Sequence, residues 1–357
     1  MNKKIKKLVF LFISLFILLL AVSIIILINL TKAPSNIKED VTINIKEGSS
    51  HYDIAHLLKE NNLIKNEKMF ILYTRINKID NIYAASYKLS TNLNLKELVE
   101  LLVDGGYNPD QISITFQEGL NIRQIANIIA ENTNNTKEDF YNLLKDEAYI
   151  NELIKKYWFL TEDIKNKDIY YSLEGYLYPD TYSFNNKEVT IKEIIEAMLE
   201  QTKEVLDKHK DKIASSNYSI HELITLASVT QSESYGENDF KNVASVFMNR
   251  LKVGMKLESC VTSYYGVKKD MTDELYQSDI DDENAYNTRA NGVEGLLPVG
   301  PVSNPGKNAI DAVINPIDTD YYFFVSDSNN KLYFTKTIDE HERMITKLQN
   351  EGLWLEW

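Results

Sequence analysis

The chain has 357 residues, 44% hydrophobic and 11% aromatic, which is enough for packed cores and long for a single domain; two or three domains are expected. Its net charge of −13 argues against nucleic acid or anionic lipid as the main partner, since both require basic surface. The lone cysteine, Cys260, excludes an internal disulfide framework, so packing alone has to hold the fold.

Residues 8–30 read LVFLFISLFILLLAVSIIILINL, with two serines and one asparagine as the only polar side chains. A run of ~20 apolar residues at ~1.5 Å each crosses the ~30 Å hydrocarbon core, which predicts a transmembrane helix. Lys3, Lys4, Lys6 and Lys7 precede it and a mixture dominated by acids follows, so residues 1–7 are expected to be a cytoplasmic tail and the rest of the chain extracytoplasmic. A cleaved signal peptide competes with this reading, but its apolar region ordinarily stops at ~7–15 residues and is followed by an A-x-A-like site that this chain lacks.

Two segments beyond the span follow one plan. Thr42 to Gly48 and then IAHLLKEN (54–61), and Ser113 to Gly119 and then IANIIAEN (125–132), each predict a strand ending at Glu-Gly and an amphipathic helix. With Ile71 to Leu89 and a helix from Leu95 to Val103 stopped by Gly105-Gly106, residues 40–106 form a small α/β module whose Gly-Ser-Ser-x-x-x-Ile-Ala pattern loosely resembles the LysM glycan-binding module. Residues 107–168, polar with helical spacing at Phe140, Leu143 and Leu144, read as a second α/β unit and connector. After Asp168 the texture shifts to aromatics, turns and short apolar runs, and a C-terminal domain is expected over 169–357, which makes the class α+β.

Three stretches of this C-terminal part are dense in functional residue types. In Ser172 to Tyr182, aromatics alternate with a glycine and a proline, which suits either a groove that stacks on sugar rings or a loop packed on the core. Ser219-Ile220-His221-Glu222 has capping-box form and starts a helix, apolar on most sides, through Leu226 to Glu233. Glu233 lies seven residues past Leu226, on the same face; a carboxyl desolvated there would have a raised pKa, as a general acid requires. The same spacing also fits a helix-end glutamate that faces solvent or pairs with Arg250. The following helix, Lys241 to Leu251, sets Val243, Val246, Phe247, Arg250 and Leu251 on one face, ends with Asn249-Arg250 and is stopped by Gly254. Farther on, Tyr286-Asn287-Thr288 and the Pro/Gly-rich loop 295–306 are followed by a strand pair, Tyr321 to Ser326 and Lys331 to Thr335, and a final helix from Asp339 that carries His341. Loops that long are disproportionately functional.

The ordered motifs EGYLYPDTY (174–182), LASVTQSES (226–234), VASVFMNRL (243–251), AYNT (285–288) and LPVGPVSNPG (297–306) resemble those of the endolytic murein transglycosylases of the MltG (YceG-like) type, and the likeness covers essentially the whole chain. The resemblance implies that Glu233 is catalytic. It would protonate the oxygen between N-acetylmuramic acid and N-acetylglucosamine of a peptidoglycan strand, then act as base so that the muramic C6 hydroxyl closes on C1 as a 1,6-anhydro end. Because that nucleophile is intramolecular, no second carboxylate is needed to activate water. Substrate-binding candidates drawn from the matched and neighbouring segments are Glu174, Tyr178, Asp180, Tyr182, Gln231, Ser234, Asn249, Arg250, Thr262, Tyr286, Asn287, Ser303 and Asn304. No metal or cofactor is implied, and a link to cell-wall synthases is. The chain departs from the pattern at Gln231, where many members carry an additional acid, and at Cys260-Val261, where Asp-Pro is common. Position 231 falls about 200° around the helix from 233 at ~100° per residue, which favours Glu233 as the essential acid. Three rivals are a catalytically silent glycan-binding scaffold, a Cys260 nucleophile served by His221 or His341, and a zinc hydrolase; no thiol-enzyme signature surrounds Cys260, and the five histidines have no H-E-x-x-H spacing.

Overall fold

The computed structural model describes residues 13, 28–46, 48–105 and 111–354. The expected membrane span at 8–30 therefore lies almost entirely outside the described residues, among which no helix is long and apolar enough to cross a membrane. The chain divides into two compact units, residues 1–111 and 112–357.

The first unit runs strand, helix, helix, strand, helix. Strand β1 (Asp40–Asn44) pairs antiparallel with β2 (Ser86–Ser90), Thr42 opposite Lys88. Helices α1 (His51–Glu60), α2 (Glu67–Ile76) and α3 (Leu95–Val103) are each started by a side chain accepting a first-turn N–H, from Ser50, Asn66 and Asn94 respectively. Their apolar faces bury Leu58, Phe70, Leu98 and Leu102 around Tyr87, whose hydroxyl is within donating reach of the Tyr83 carbonyl at 2.7 Å and the Leu102 carbonyl at 3.1 Å. The expected helix 95–103 is observed with those bounds, whereas the strand stops at Asn44, short of Gly48, where φ is +78°.

In the second unit β3 (Ile112–Thr115) pairs antiparallel with β4 (Thr181–Phe184), and helices α4 (Ile122–Asn132), α5 (Lys137–Leu144) and α6 (Glu147–Lys156) lie between them in sequence. There follow α7 (Ile191–Asp207), α8 (Lys210–Ala214), α9 (Ile220–Glu233), α10 (Glu237–Lys252), α11 (Cys260–Gly266), α12 (Gln277–Ile280) and α13 (Lys307–Ile314). The hairpin β5 (Phe323–Ser326) and β6 (Leu332–Thr335) and helix α14 (Ile338–Asn350) complete the unit. One core crosses residue 168 without a break, joining Phe116, Ile129 and Leu153 to Tyr176, Met198, Val229 and Phe247.

Helix α9 is its axis. Ser219 and Glu222 close the expected capping box, and every residue from Ile220 to Thr230 except the capping Glu222 is buried, in a helix packed against α10 and α13. Helix α10 begins four residues earlier than its apolar stripe suggested, because Asp239 reaches back to the Gly236 N–H at 2.9 Å and supplies a polar first turn. The Pro/Gly loop is an interior element: Gly300 to Gly306 are all buried. Buried backbone needs partners, and the N–H groups of the loop find them on neighbouring segments. Val299 N–H goes to the Ala285 carbonyl, Val302 N–H to Ser228 Oγ, Asn304 N–H to the Leu120 carbonyl and Gly306 N–H to Gln231 Oε1.

Candidate active site

Glu233 is the last residue of α9, and the chain leaves the helix in extended conformation at Ser234. Helix C-termini present carbonyl oxygens, so a carboxylate there is disfavoured and a neutral carboxyl tolerated. The side chain is half-buried and faces a cavity of about 380 Å³. Burial pushes its pKa above the ordinary carboxylate value; Ser259 Oγ, donating to Oε1 at 2.5 Å, the Val261 N–H and the charges of Arg289 and Arg250 pull back without cancelling the rise. The carboxyl is thus held between the end of α9 and the start of α11.

The segment carrying Ser259 is braced by Arg250, which reaches it from the last turn of α10. Its Nη1 donates to the Leu257 carbonyl at 2.9 Å and to Glu258 Oε2 at 3.2 Å, its Nε donates to the Tyr322 carbonyl at 2.6 Å, and its guanidinium lies 5.2 Å from the centroid of Phe323. This brace forces Glu258 into the left-handed region at φ +56°, which a non-glycine residue adopts only when its surroundings hold it there. Thr288 Oγ1 then accepts the Ser259 N–H, and Thr262 Oγ1 donates to the Ser259 carbonyl at 2.7 Å. Ser259 is therefore fixed at its backbone on both sides, so its hydroxyl is aimed at Glu233.

Among the described residues that line the cavity with Glu233 are Arg250, Ser259, Cys260, Arg289, Phe324, His341 and Trp354. Of the residues singled out in the sequence, Glu233, Arg250, Cys260 and His341 line it, and Arg250 does so with donors committed to carbonyls and to Glu258. Glu233 neither stands free in solvent nor takes a hydrogen bond from Arg250.

Most of the other candidates are hydrogen-bonded into the surrounding frame. Glu174 is 1% exposed and accepts from the Ile122 N–H, from Tyr265 Oη at 2.8 Å and from Asn304 Nδ2 at 3.0 Å. Asn304 also accepts the Leu177 N–H, Tyr286 Oη accepts the Tyr170 N–H, and Asn287 Nδ2 donates to the Ile280 and Asp282 carbonyls. Thr262 is paired with Thr288, Ser303 with the Ser228 carbonyl, Asn249 with the Thr319 and Tyr321 carbonyls, and Gln231 with Gly306. Tyr178 and Tyr182 are half-buried, with Tyr182 Oη donating to the Tyr178 carbonyl, and Asp180 is exposed. Ser234 Oγ is buried without a partner.

His221, named in the sequence as a possible base, sits inside the core. It is placed for Nε2–H to donate to the Val299 carbonyl and for Nδ1 to accept the Tyr176 hydroxyl at 2.9 Å, and burial lowers its pKa. No group of acids, histidines or cysteines suited to hold a metal occurs among the described residues. Sequence reasoning passed over Ser259, Arg289, Phe324 and Trp354, which lie in no motif; the only signal nearby was the departure at Cys260-Val261, next to Ser259.

Similarity to known proteins extends over most of the chain. An endolytic murein transglycosylase of Bacillus subtilis (strain 168) is 38% identical over 309 residues, 86% of this chain and 84% of the relative. Another endolytic murein transglycosylase, of Streptococcus pneumoniae serotype 2, is 30% identical over 92% of this chain, which spans 62% of that longer relative. The crystal structure of a yceG-like protein from Listeria monocytogenes superposes with a TM-score of 0.61 at 31% identity, over 86% of this chain and all of that one. The family model described as YceG-like matches residues 43–347, and the chain therefore belongs to the YceG-like family.

Proposed function

We propose that this protein is an endolytic murein transglycosylase that cuts peptidoglycan glycan strands, with Glu233 as its catalytic acid and base. The observation that carries the reading is a carboxyl with a raised pKa, held by a serine hydroxyl and facing a cavity, in a chain whose relatives bear that name. Protonated, Glu233 delivers its proton to the glycosidic oxygen as the bond to muramic C1 breaks. The resulting carboxylate then takes the proton of the C6 hydroxyl, whose oxygen closes on C1 as the 1,6-anhydro ring. Proton and bond accounts balance within the sugar and the one carboxyl, which agrees with a cavity whose other acid, Glu258, is tied to Arg250.

Residues 8–30 serve in this reading as a single membrane anchor with residues 1–7 cytoplasmic, residues 40–106 as a LysM-like module, 107–168 as the second unit and connector, and 169–357 as the catalytic domain. The strand–helix–helix–strand order over β1 to β2 supports the module. With about ten residues between Leu30 and β1, the anchor keeps that module close to the bilayer, where new strands emerge and synthases work.

The test is to incubate the purified protein with uncrosslinked peptidoglycan strands and analyse the new ends. Internal cuts ending in 1,6-anhydro-muramyl sugars are expected; binding without cleavage would leave the silent scaffold instead. The pH profile carries a second prediction. A raised pKa keeps the acid form available to higher pH, so kcat/KM should fall as pH rises through the folded pKa of Glu233, above the ordinary carboxylate range. Ser259→Ala removes a bond that favours the charged form, and should therefore move that alkaline limb to still higher pH. A limb left in place by Ser259→Ala would separate the hydroxyl from the titration.

A further inference from the structure

Trp354 belongs to none of the ordered motifs, yet it lines the cavity that Glu233 faces. A series of backbone contacts puts it there. Helix α14 packs on β5 and β6 and contributes His341 and Ile345, one turn apart, to the cavity wall. The helix then ends in a motif that reverses the chain. The Leu353 N–H donates to the Leu348 carbonyl at 2.9 Å and the Gly352 N–H to the Gln349 carbonyl at 3.1 Å, with Gly352 at φ +67°, where a side chain would strain the backbone. The Leu353 carbonyl in turn accepts the Ser328 N–H at 2.8 Å, from the turn between β5 and β6. The hairpin that supplies Phe324 to the cavity therefore also holds the residue next to Trp354, and the indole is carried back beside the site, half-buried.

The lining of the cavity is of two kinds. Glu233, Ser259 and Arg289, from the end of α9, the start of α11 and the loop after α12, are charged or polar; Phe324, Ile345 and Trp354, from β5, α14 and the segment after it, are apolar. A pyranose ring has the same division, with hydroxyls and bridging oxygens around its rim and C–H groups on its faces. Laid with one face on a flat aromatic, it keeps its rim free for polar groups. Of the apolar three, Ile345 offers no flat surface, and the Phe324 ring is already engaged with Phe247 and Phe334, at 5.9 and 6.1 Å between centroids. Trp354 has the largest ring system and, among the described residues, no aromatic or cation stacked on it.

We propose that Trp354 is the platform on which a pyranose ring of the glycan strand stacks beside Glu233, with a C–H face on the indole and its polar rim toward Glu233, Ser259 and Arg289. This deepens the transglycosylase reading and rests on it for the identity of the strand. Trp354 touches substrate but holds no proton that the reaction moves. It binds ground state and transition state alike, so its contribution falls on KM.

The experiment measures KM and kcat for cleavage of uncrosslinked strands by the wild type, Trp354→Phe, Trp354→Leu and Trp354→Ala. Stacking predicts a KM raised ~10-fold or more in Trp354→Ala and Trp354→Leu, with kcat within about threefold of the wild type. Trp354→Phe, which keeps a flat ring, should raise KM by about threefold or less. A wild-type KM in the alanine and leucine variants, or leucine serving as well as phenylalanine, would overturn the proposal. A readout that needs no turnover follows tryptophan emission of Glu233→Gln as an N-acetylglucosamine oligomer is added. The chain has three tryptophans, so the share of Trp354 is the part of the shift lost in the double variant Glu233→Gln, Trp354→Phe. That share should be most of the shift; a shift kept in full by the double variant would remove the indole from the site. Were the wild type to cut no strand, the transglycosylase reading would fall, and a shift lost with Trp354 would still uphold the platform. Normal cleavage with an unchanged KM in Trp354→Ala would sink the platform and leave the reading standing.

Discussion

Glu233→Gln is expected to cut strand cleavage by about 10²–10⁴-fold, the usual worth of a positioned general acid, while its melting temperature stays level or rises. The amide fills the same volume and its oxygen can still accept from Ser259 and from the Val261 N–H. What it cannot do is give up a proton to the glycosidic oxygen or take one from the sugar hydroxyl. Stability should not suffer, because burial disfavours the charged form of Glu233 and the end of α9 opposes a negative charge as well. The change removes a group held at a cost, which is the usual pattern at a catalytic position. The measurement pairs release of anhydro-muramyl ends with a thermal melt at the same pH. Full activity in a folded variant would remove Glu233 from the chemistry. Lost activity with a melting temperature many degrees lower would make it a structural residue.

The difference between Glu233 and the other acids was only partly legible in the sequence. Local signals carried far: Ser219 and Glu222 announced the start of α9, Gly254 with its φ of +71° the end of α10, and the spacing Leu95 to Val103 a helix that the structure reproduces. These are features in which a few neighbouring residues determine the backbone. The cavity is of another kind, because its walls come from α9, α10, the start of α11, β5, α14 and Trp354, and pairing over such distances leaves no periodicity to read. Polarity alone does not separate the two kinds of position. Asn287, Ser303 and Asn304 stand in motif positions as substrate-binding candidates, and all three are buried and hydrogen-bonded within the protein. A motif marks that a residue matters; only its surroundings show whether it touches a ligand or holds up one that does. Glu258 makes the same point at the backbone: nothing in the letter E foretells a left-handed φ, which follows from Arg250 clasping the carbonyl before it and the side chain itself.

Glu174→Ala should destabilise the protein by about 3–5 kcal/mol, whereas Glu174→Gln should be far milder and should flatten the dependence of stability on pH. The glutamate is enclosed where three elements meet: it caps the Ile122 N–H at the start of α4, takes Tyr265 Oη from α11 and holds Asn304 of the buried loop. Alanine strips a partner from each donor at once, and a buried orphaned group costs ~1–3 kcal/mol, with a cavity added. Tyr265 and Asn304 would then be free to shift, and with them α11 and the loop that fixes α9. Glutamine keeps an oxygen for Ile122 and Asn304 and offers its amide to the tyrosine hydroxyl, which can turn to accept. The pH behaviour follows from burial, which pushes the Glu174 carboxyl up to about 7 against the bonds that hold it down. A folded pKa above the unfolded value means that the folded state keeps its proton longer. The associated stability is fully present below about pH 4, declines as pH rises from there through about 7, and is gone above it, a change of ~3 kcal/mol at 1.36 kcal/mol per unit. Urea unfolding at pH 4.5, 6 and 8 would read this directly: the decline between pH 4.5 and 8 should be markedly shallower in Glu174→Gln than in the wild type, the share of Glu233, also raised by burial, being left in both. Should the two show the same slope, the titration belongs to another group, and the three donors hold Glu174 ionised throughout.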